Sequence, residues 1–261
     1  MQKYVMNENK SWFTIAKIDK NTYALRELNH SEETNSFLLI GNEKSLLIDT
    51  GMGVENIYEI VNKLTNKPII TVITHAHWDH IGSNDYADEL YIHDNEKEWL
   101  NNFPLPLERV KKELLSTDKP FPNKFKIDNY HLPSKKCTDS LTDNQIIDLG
   151  NRKIKVVFTP GHSPGHVCFY EEKTRYLFSG DLIYKGELDC YYPSTDPEIY
   201  RLSIKKMLPL KIKYVFGGHH DLFLSSKIIE EASEAFDNLH ENGLLNHHDK
   251  IYYFKNISIR L

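Results

Sequence analysis

Apolar positions in the first third of the chain fall into short runs with strand character. Trp12–Ile18 and Thr22–Leu28 are brief and rich in β-branched and aromatic residues, and Asn35–Ile40 and Ser45–Asp49 are apolar runs joined by Gly-Asn-Glu-Lys. That spacing predicts a hairpin. The pattern then changes period. Ile57, Ile60, Val61 and Leu64 recur at helical spacing, which predicts a helix over 56–64 that ends at Lys67 before Pro68. Pro68–Ile73 is continuously apolar, as in a strand buried on both faces.

The middle of the chain reads differently. Residues 95–115 are charged and amphipathic, broken around Pro104 and Pro106, and 119–133 combine Pro, Lys, Asn and aromatics. An irregular and helical insertion at about 95–135 is expected. It either overhangs the site, packs on a second chain to give a homodimer, or is a solvated excursion. Its Phe103, Leu105 and Phe121 favour the first two, because exposed aromatics at this density are costly to solvate.

Strands are predicted again at 145–149, 153–159, 166–170, 175–178 and 214–216, with a closing strand or pair at 251–261. Helices are predicted at 196–208 and 227–240. Asp196 followed by Pro197 marks the first helix start. Neither a repeat nor a low-complexity linker interrupts the chain, so residues 1–261 read as one domain of sheets sandwiched between helices.

Composition narrows the class. The 261 residues carry 32 basic and 37 acidic side chains, a net charge of −5, with 40% hydrophobic residues. This is globular composition, and its mild acidity argues against a nucleic-acid partner. No apolar run approaches the roughly 18 residues of a membrane span. The first twenty residues show no apolar core before a small-residue cleavage site, so no secretory signal is expected. Cys137, Cys168 and Cys190 are scattered and odd in number. Disulfides are not expected, and the cytoplasm is the expected compartment.

The chemistry lies where apolar strands end. Thr74-His75-Ala76-His77-Trp78-Asp79-His80 places three histidines and an aspartate within six residues after a buried strand. In an extended segment His75 and His77 face the same way. Nitrogen and oxygen donors of this kind suit zinc. Three further strands end in ligand-type residues: His162 in Thr159-Pro-Gly-His, Asp181 in Ser179-Gly-Asp, and His219-His220 after Gly217-Gly218. Each alone is a weak signal. Together they supply His75, His77 and His162 for one ion, and Asp79, His80 and His219 for a second, with Asp181 shared. Two zinc ions about 3.5–4 Å apart would acidify a bridging water and polarise a substrate carbonyl or phosphoryl.

This constellation resembles the metallo-β-lactamase fold superfamily. The likeness covers nearly the whole chain, from Leu47-Ile48-Asp49-Thr50-Gly51 through the H-x-H-x-D-H loop at 75–80, the turn ending at His162 and Ser-Gly-Asp181 to Gly218-His219. It implies an α+β fold, an αββα four-layer sandwich of two mixed sheets packed between helices. A dinuclear site lies in the cleft of such folds, normally holding two zinc ions, with manganese or iron(II) as alternatives. The likeness also implies that Asp49 supports the metal loop, although a turn-forming role before Thr50-Gly51 has equal weight. His166 is implied as a support and not a ligand. A ligand directly after glycine favours His219 over His220.

The fold does not settle the substrate. Flavodiiron proteins resemble H-x-E-x-D-H at this loop, and His77 here favours a zinc-type hydrolase. Glyoxalase-II-like enzymes bind glutathione through a basic C-terminal region. Residues 222–250 hold more Glu than Lys, so no such pocket is expected. Tyr184, three residues after Asp181, and the later Asp196-Pro197-Glu198 are similar to N-acyl homoserine lactone lactonases. In those enzymes the tyrosine contacts the substrate carbonyl; the alternative here is an aromatic that covers the cleft. Tyr191 and Tyr192 could equally line it. The expected catalytic residues are therefore Asp79, as a participant in proton transfer, and Tyr184. The best expectation is a cytoplasmic dinuclear zinc hydrolase, using a metal-bridging hydroxide on a small ester, lactone or thioester. A phosphodiester or phosphonate hydrolase is second, a diiron redox protein comes from a different class, and a metal-holding interaction module is the non-enzyme alternative.

Overall fold

The structure is a computed structural model that describes residues 5–6 and 11–261. The reading of the chain's start as lacking a leader falls partly on residues 1–4 and 7–10, outside the described residues. Two compact units divide the chain, one running up to Ser140 with Leu149–Arg152 added, the other Leu141–Asp148 with Lys153–Leu261.

The first unit is built on an eight-stranded sheet whose strands follow in chain order. They are β1 (Val5–Met6), β2 (Thr14–Asp19), β3 (Thr22–Arg26), β4 (Asn35–Ile40) and β5 (Ser45–Ile48), then, after helix α1 (Tyr58–Leu64), β6 (Ile69–Val72). Helix α2 (Trp78–Ile81) and β7 (Glu89–His93) follow, then α3 (Lys97–Asn101), α4 (Leu107–Leu114) and β8 (Asp139–Leu141). Strands β1–β5 are antiparallel, whereas β5, β6 and β7 are parallel. Alternation sets the faces. Leu25, Leu38 and Leu47 join Ile57, Tyr58, Ile60 and Val61 around α1 in one apolar cluster. Ala24, Phe37, Leu39, Leu46 and Ile48 point to the opposite face and are buried as well. Residues 97–114 hold α3 and α4 on either side of Pro104 and Pro106. The segment after them is pinned by aromatic rings: Phe121 stacks on Trp12 at 5.2 Å and on Phe125 at 4.9 Å, and Tyr130 donates its hydroxyl to Met52 O.

The second unit carries a six-stranded sheet ordered β15-β14-β12-β11-β10-β9. Its strands are β9 (Ile146–Asp148), β10 (Lys153–Phe158), β11 (Val167–Glu171), β12 (Tyr176–Gly180), β14 (Tyr214–Gly217) and β15 (Leu224–Ser225). Only the β12–β14 pair is parallel. A further three-stranded sheet joins β13 (Gly186–Asp189) to β17 (Ile257–Arg260) and β16 (Ile251–Tyr253). Helices α5 (Pro197–Lys205) and α6 (Lys227–Glu241) put Tyr200, Ile204, Ile229, Ala232 and Phe236 into the core of this unit with Cys168, Leu177 and Val215. Asp196 caps α5 as its sequence suggests, accepting the Ile199 N–H at 2.9 Å, with Pro197 at the first helical position. Mixed sheets with helices define an α+β fold. No helix among the described residues is long and apolar enough to cross a membrane.

Candidate metal centre

In the first unit, β6 ends at Val72, the chain bends at Thr74 and is extended at His77, and α2 then turns it. His75, Asp79 and His80 are buried and His77 is half-buried. The ring of His75 lies 4.4 Å from those of both His77 and His80, and His80 Nε2 is 3.4 Å from Asp79 Oδ2. Two backbone bonds clamp the loop to the end of β5, from Thr50 N to His80 O and from Gly82 N to Gly51 O.

Asp49 is the buried carboxylate of this loop. Its φ of 60° places it in the left-handed region that Asp tolerates better than most residues. Oδ1 accepts the Thr74 N–H at 2.8 Å. Oδ2 accepts the Thr74 hydroxyl at 2.9 Å and lies 3.0 Å from His80 Nδ1. Burial pushes the Asp49 carboxyl above the ordinary carboxylate range, against the opposing pull of His80. With Nδ1–H of His80 given to Asp49, its Nε2 is the nitrogen left to ligate. Thr74 Oγ1 sits 3.0 Å from His75 Nδ1 and favours Nε2 there too.

Three residues that the sequence did not single out lie here: Glu96 and Trp99 support the loop itself, and Glu27 holds the chain just after β5. Glu96 is fully buried, and its Oε2 accepts the Ala76 N–H at 2.9 Å. The ring of Trp99 lies parallel to His77, with centroids 5.8 Å apart and planes 11° apart. Glu27 is fully buried, accepting Trp12 Nε1–H at 2.8 Å and Met52 N–H at 2.9 Å. Desolvation pushes its carboxyl up to about 8. These supports come from distant parts of the sequence. No local pattern marks them as supports: Glu96 and Trp99 fall within the charged, amphipathic stretch at 95–115.

In the second unit, three strand ends converge. The turn after β10 has Gly161 at φ 130°, and a Cβ there would meet the Tyr200 backbone at 2.4 Å, so only glycine fits. This turn aims His162, whose Nδ1 lies 3.2 Å from Asp189 O, leaving Nε2 3.4 Å from Asp181 Oδ2. His219, after β14, brings its Nε2 to 3.1 Å from the same oxygen. His220 is different: at φ 55° its ring turns toward Gly186. His219 is thus the histidine brought to Asp181.

His166 turns its Nε2 to a backbone N–H, whereas His80, His162 and His219 turn theirs toward carboxylate oxygens. Its Nε2 accepts the Asp181 N–H at 3.1 Å, so Nδ1 carries the proton and faces Thr159 Oγ1 at 2.9 Å. Tyr200, also unforeseen, donates its buried hydroxyl to Asp181 O at 2.6 Å. The Tyr184 ring stands edge-on to His219 with centroids 5.1 Å apart, and its hydroxyl donates to Glu187 O. The phenol proton that the lactonase likeness would aim at a substrate is committed to the backbone here. The Tyr191 and Tyr192 rings lie 4.1 Å apart, tilted by 34°, with the Arg260 guanidinium 3.9 Å from the Tyr191 ring centre.

The described residues thus include His and Asp groups able to bind a metal ion. The donor set, imidazole nitrogens with carboxylate oxygens, fits a divalent ion of the zinc type. In His75, His80 and His162 the other ring nitrogen is already engaged, as it is in metal-ligating histidines.

A strand-end His/Asp set of this kind on an α+β scaffold defines a metal-dependent hydrolase. The sequence model of the Metallo-beta-lactamase superfamily matches residues 32–219, and the chain belongs to that superfamily. Among curated relatives, the human protein named acyl-coenzyme A thioesterase MBLAC2 is 25% identical over 243 residues, covering 85% of this chain and 86% of its own. Hydroxyacylglutathione hydrolase GloC of Haemophilus influenzae is 27% identical over 193 residues, covering 72% of this chain and 85% of its own. Among solved structures, metallo-beta-lactamase family protein TTHA1429 of Thermus thermophilus superposes with a TM-score of 0.66 at 19% identity. That alignment covers 87% of this chain and 82% of the other. The likeness establishes the fold.

Proposed function

We propose that the chain is a dinuclear zinc hydrolase of thioesters. In this reading His75, His77 and His162 serve one ion, Asp79, His80 and His219 the other, and Asp181 both. Asp181 carries the proposal, because one of its carboxylate oxygens already faces the Nε2 atoms of two histidines, His162 and His219. When bound, a zinc pair supplies an acidified water and a Lewis acid for a carbonyl oxygen.

The chain's own residues do the rest. Asp49 and Asp189 O fix which nitrogen His80 and His162 present. His166 and Tyr200 hold the Asp181 backbone from its N–H and its C=O. Asp79, expected to share in proton transfer, keeps one oxygen 3.4 Å from the Thr34 hydroxyl and is read first as a ligand.

The thioester class rests on relatives whose names carry it: the vertebrate acyl-coenzyme A thioesterases and the hydroxyacylglutathione hydrolase. Three free cysteines fit a reducing cytoplasm.

The test is metal analysis of the purified protein together with hydrolysis of an acyl-coenzyme A, a hydroxyacylglutathione, a homoserine lactone and a phosphodiester. About two zinc ions per chain and a kcat/KM at least tenfold higher on one of the thioesters are expected. Asp181→Ala should remove both metal and activity. Mostly iron, or a preference for the phosphodiester, overturns the reading.

A further inference from the structure

Residues 94–101 sit at the start of the segment that the sequence reads as an insertion. The structure places two of them against the limb that carries His75 and His77. Glu96 ends a single 3₁₀ turn (Asp94–Glu96) after β7, and Trp99 follows within α3. Three residues apart in helical backbone, they share a face. From that face the Glu96 carboxylate takes the Ala76 N–H, and the Trp99 ring backs the His77 imidazole.

The geometry points to Glu96 and Trp99 as positioning residues that fix how the His75 and His77 rings leave the chain. The reason is mechanical. Ala76 N–H belongs to the rigid peptide plane that joins it to His75, so a bond to that N–H sets the rotation of the limb on both sides. His75 and His77 flank Ala76 and their ring centroids lie 4.4 Å apart, so one bond bears on both rings. The acceptor oxygen is fully buried, so no water competes for the Ala76 N–H and the bond is stronger than it would be at the surface. Trp99 adds a second, independent restraint. A parallel ring surface behind His77 limits rotation about its χ2, which the peptide bond does not control. Ligands held in this way lose less freedom when a cation binds, and outer partners of metal ligands typically account for 10- to 100-fold in affinity.

The inference rests on His77 acting as a ligand, and the experiment separates the two. Chelated protein is titrated with cobalt(II), reading affinity and the visible d–d bands, with thermal melting of the metal-free form as a check on folding. His77→Ala should abolish one cobalt equivalent; if it binds cobalt as the wild type does, the ligand reading falls and this inference with it. With His77 established, Glu96→Ala should weaken cobalt binding about 10- to 100-fold and shift the bands. Glu96→Gln keeps an oxygen acceptor for Ala76 N–H and should stay within about threefold of wild type. Trp99 is half-buried, and Trp99→Leu should weaken cobalt binding at least threefold with the metal-free melting temperature little changed. Wild-type affinity and bands in Glu96→Ala or in Trp99→Leu overturn the assignment for that residue. A Glu96→Gln protein that loses as much as a large truncation would overturn positioning through the hydrogen bond. If Glu96→Ala does not fold, the Gln and Trp99 variants decide.

Discussion

Asp49 Oδ2 lies 3.0 Å from His80 Nδ1, and the same carboxylate takes both donors of Thr74. Two oxygens thus serve three donors at the point where β5 meets the metal loop. Asn tolerates the left-handed backbone at this position, so Asp49→Asn tests the charge and the second oxygen without adding strain. It leaves one acceptor where three donors converge. We expect metal affinity to fall tenfold or more, by chelator competition. The metal-free protein should lose about 1–3 kcal/mol in a denaturation curve. Unchanged affinity would show that His80 is oriented by something else.

At Tyr184 a smaller effect is expected than the lactonase likeness implies. A phenol that assists a developing oxyanion is worth roughly 10²–10³ in rate at such sites. Here the hydroxyl donates to Glu187 O, and the ring's contact is with His219. Tyr184→Phe keeps the ring and should hold kcat within about threefold of wild type, with metal content unchanged. Tyr184→Ala removes the ring beside His219 and should lower both. A tenfold loss of kcat in the Phe variant would place the phenol on the substrate.

Much of the candidate ligand set was readable in the sequence, because these residues sit at the ends of apolar strands and local pattern marks strand ends. The hairpin of β4 and β5, the helix capped at Asp196 and the loop at 75–80 each rest on neighbours in sequence. The supports of the site do not. Glu27 meets Met52 across 25 residues and Tyr200 meets Asp181 across 19, and Glu96 and Trp99 reach back to the metal loop over similar spans. No periodicity encodes such a meeting. The parallel pairing of β13 with β17, Gly186 opposite Ile257, is equally invisible to local alternation. For the same reason Tyr184 invited a catalytic reading: its position after Asp181 was visible, but its hydroxyl's partner was not.

Trp12 and Phe121 stack with planes 13° apart, and the contact closes a circuit. Trp12 donates to Glu27, Glu27 accepts from Met52, Met52 O accepts from Tyr130, and Phe125 links Tyr130 back to Phe121. The segment around 121–130 is held by rings at several points and not by its own secondary structure. Phe121→Ala removes the middle of the stack, for which about 1–3 kcal/mol of stability is a fair expectation at a half-buried ring. Limited proteolysis should then cut within 119–133 several times faster than in wild type. Equal cutting rates would show that the circuit does not hold the segment.

Glu27 gives the chelated protein a pH dependence of unusual sign. Its carboxyl is fully buried, and desolvation raises it from 4.5 to about 8. Met52 N–H and Trp12 Nε1–H pull the other way, Asp79 adds to the rise, and His80 opposes it. An acid whose folded value lies above its unfolded one holds its proton in the native state after the unfolded chain has released it. Stability from this group is therefore fully present below about pH 4.5 and is lost as pH rises through about 8, the opposite of a salt-bridged carboxylate. The loss amounts to a few kcal/mol at most, since each tenfold change in proton affinity is worth about 1.4 kcal/mol. Glu27→Gln cannot ionise, so the melting temperature of its chelated form should fall less between pH 5 and pH 8, in roughly the range where the two states differ. Its stability at pH 5 should drop, because an amide NH₂ meets one of the two N–H donors that the carboxyl accepts. The difference between the two melting curves across that range isolates the group from every other titration. Parallel curves, with the same slope in wild type and Glu27→Gln, would mean that Glu27 is ionised in the folded protein and held so by Trp12 and Met52.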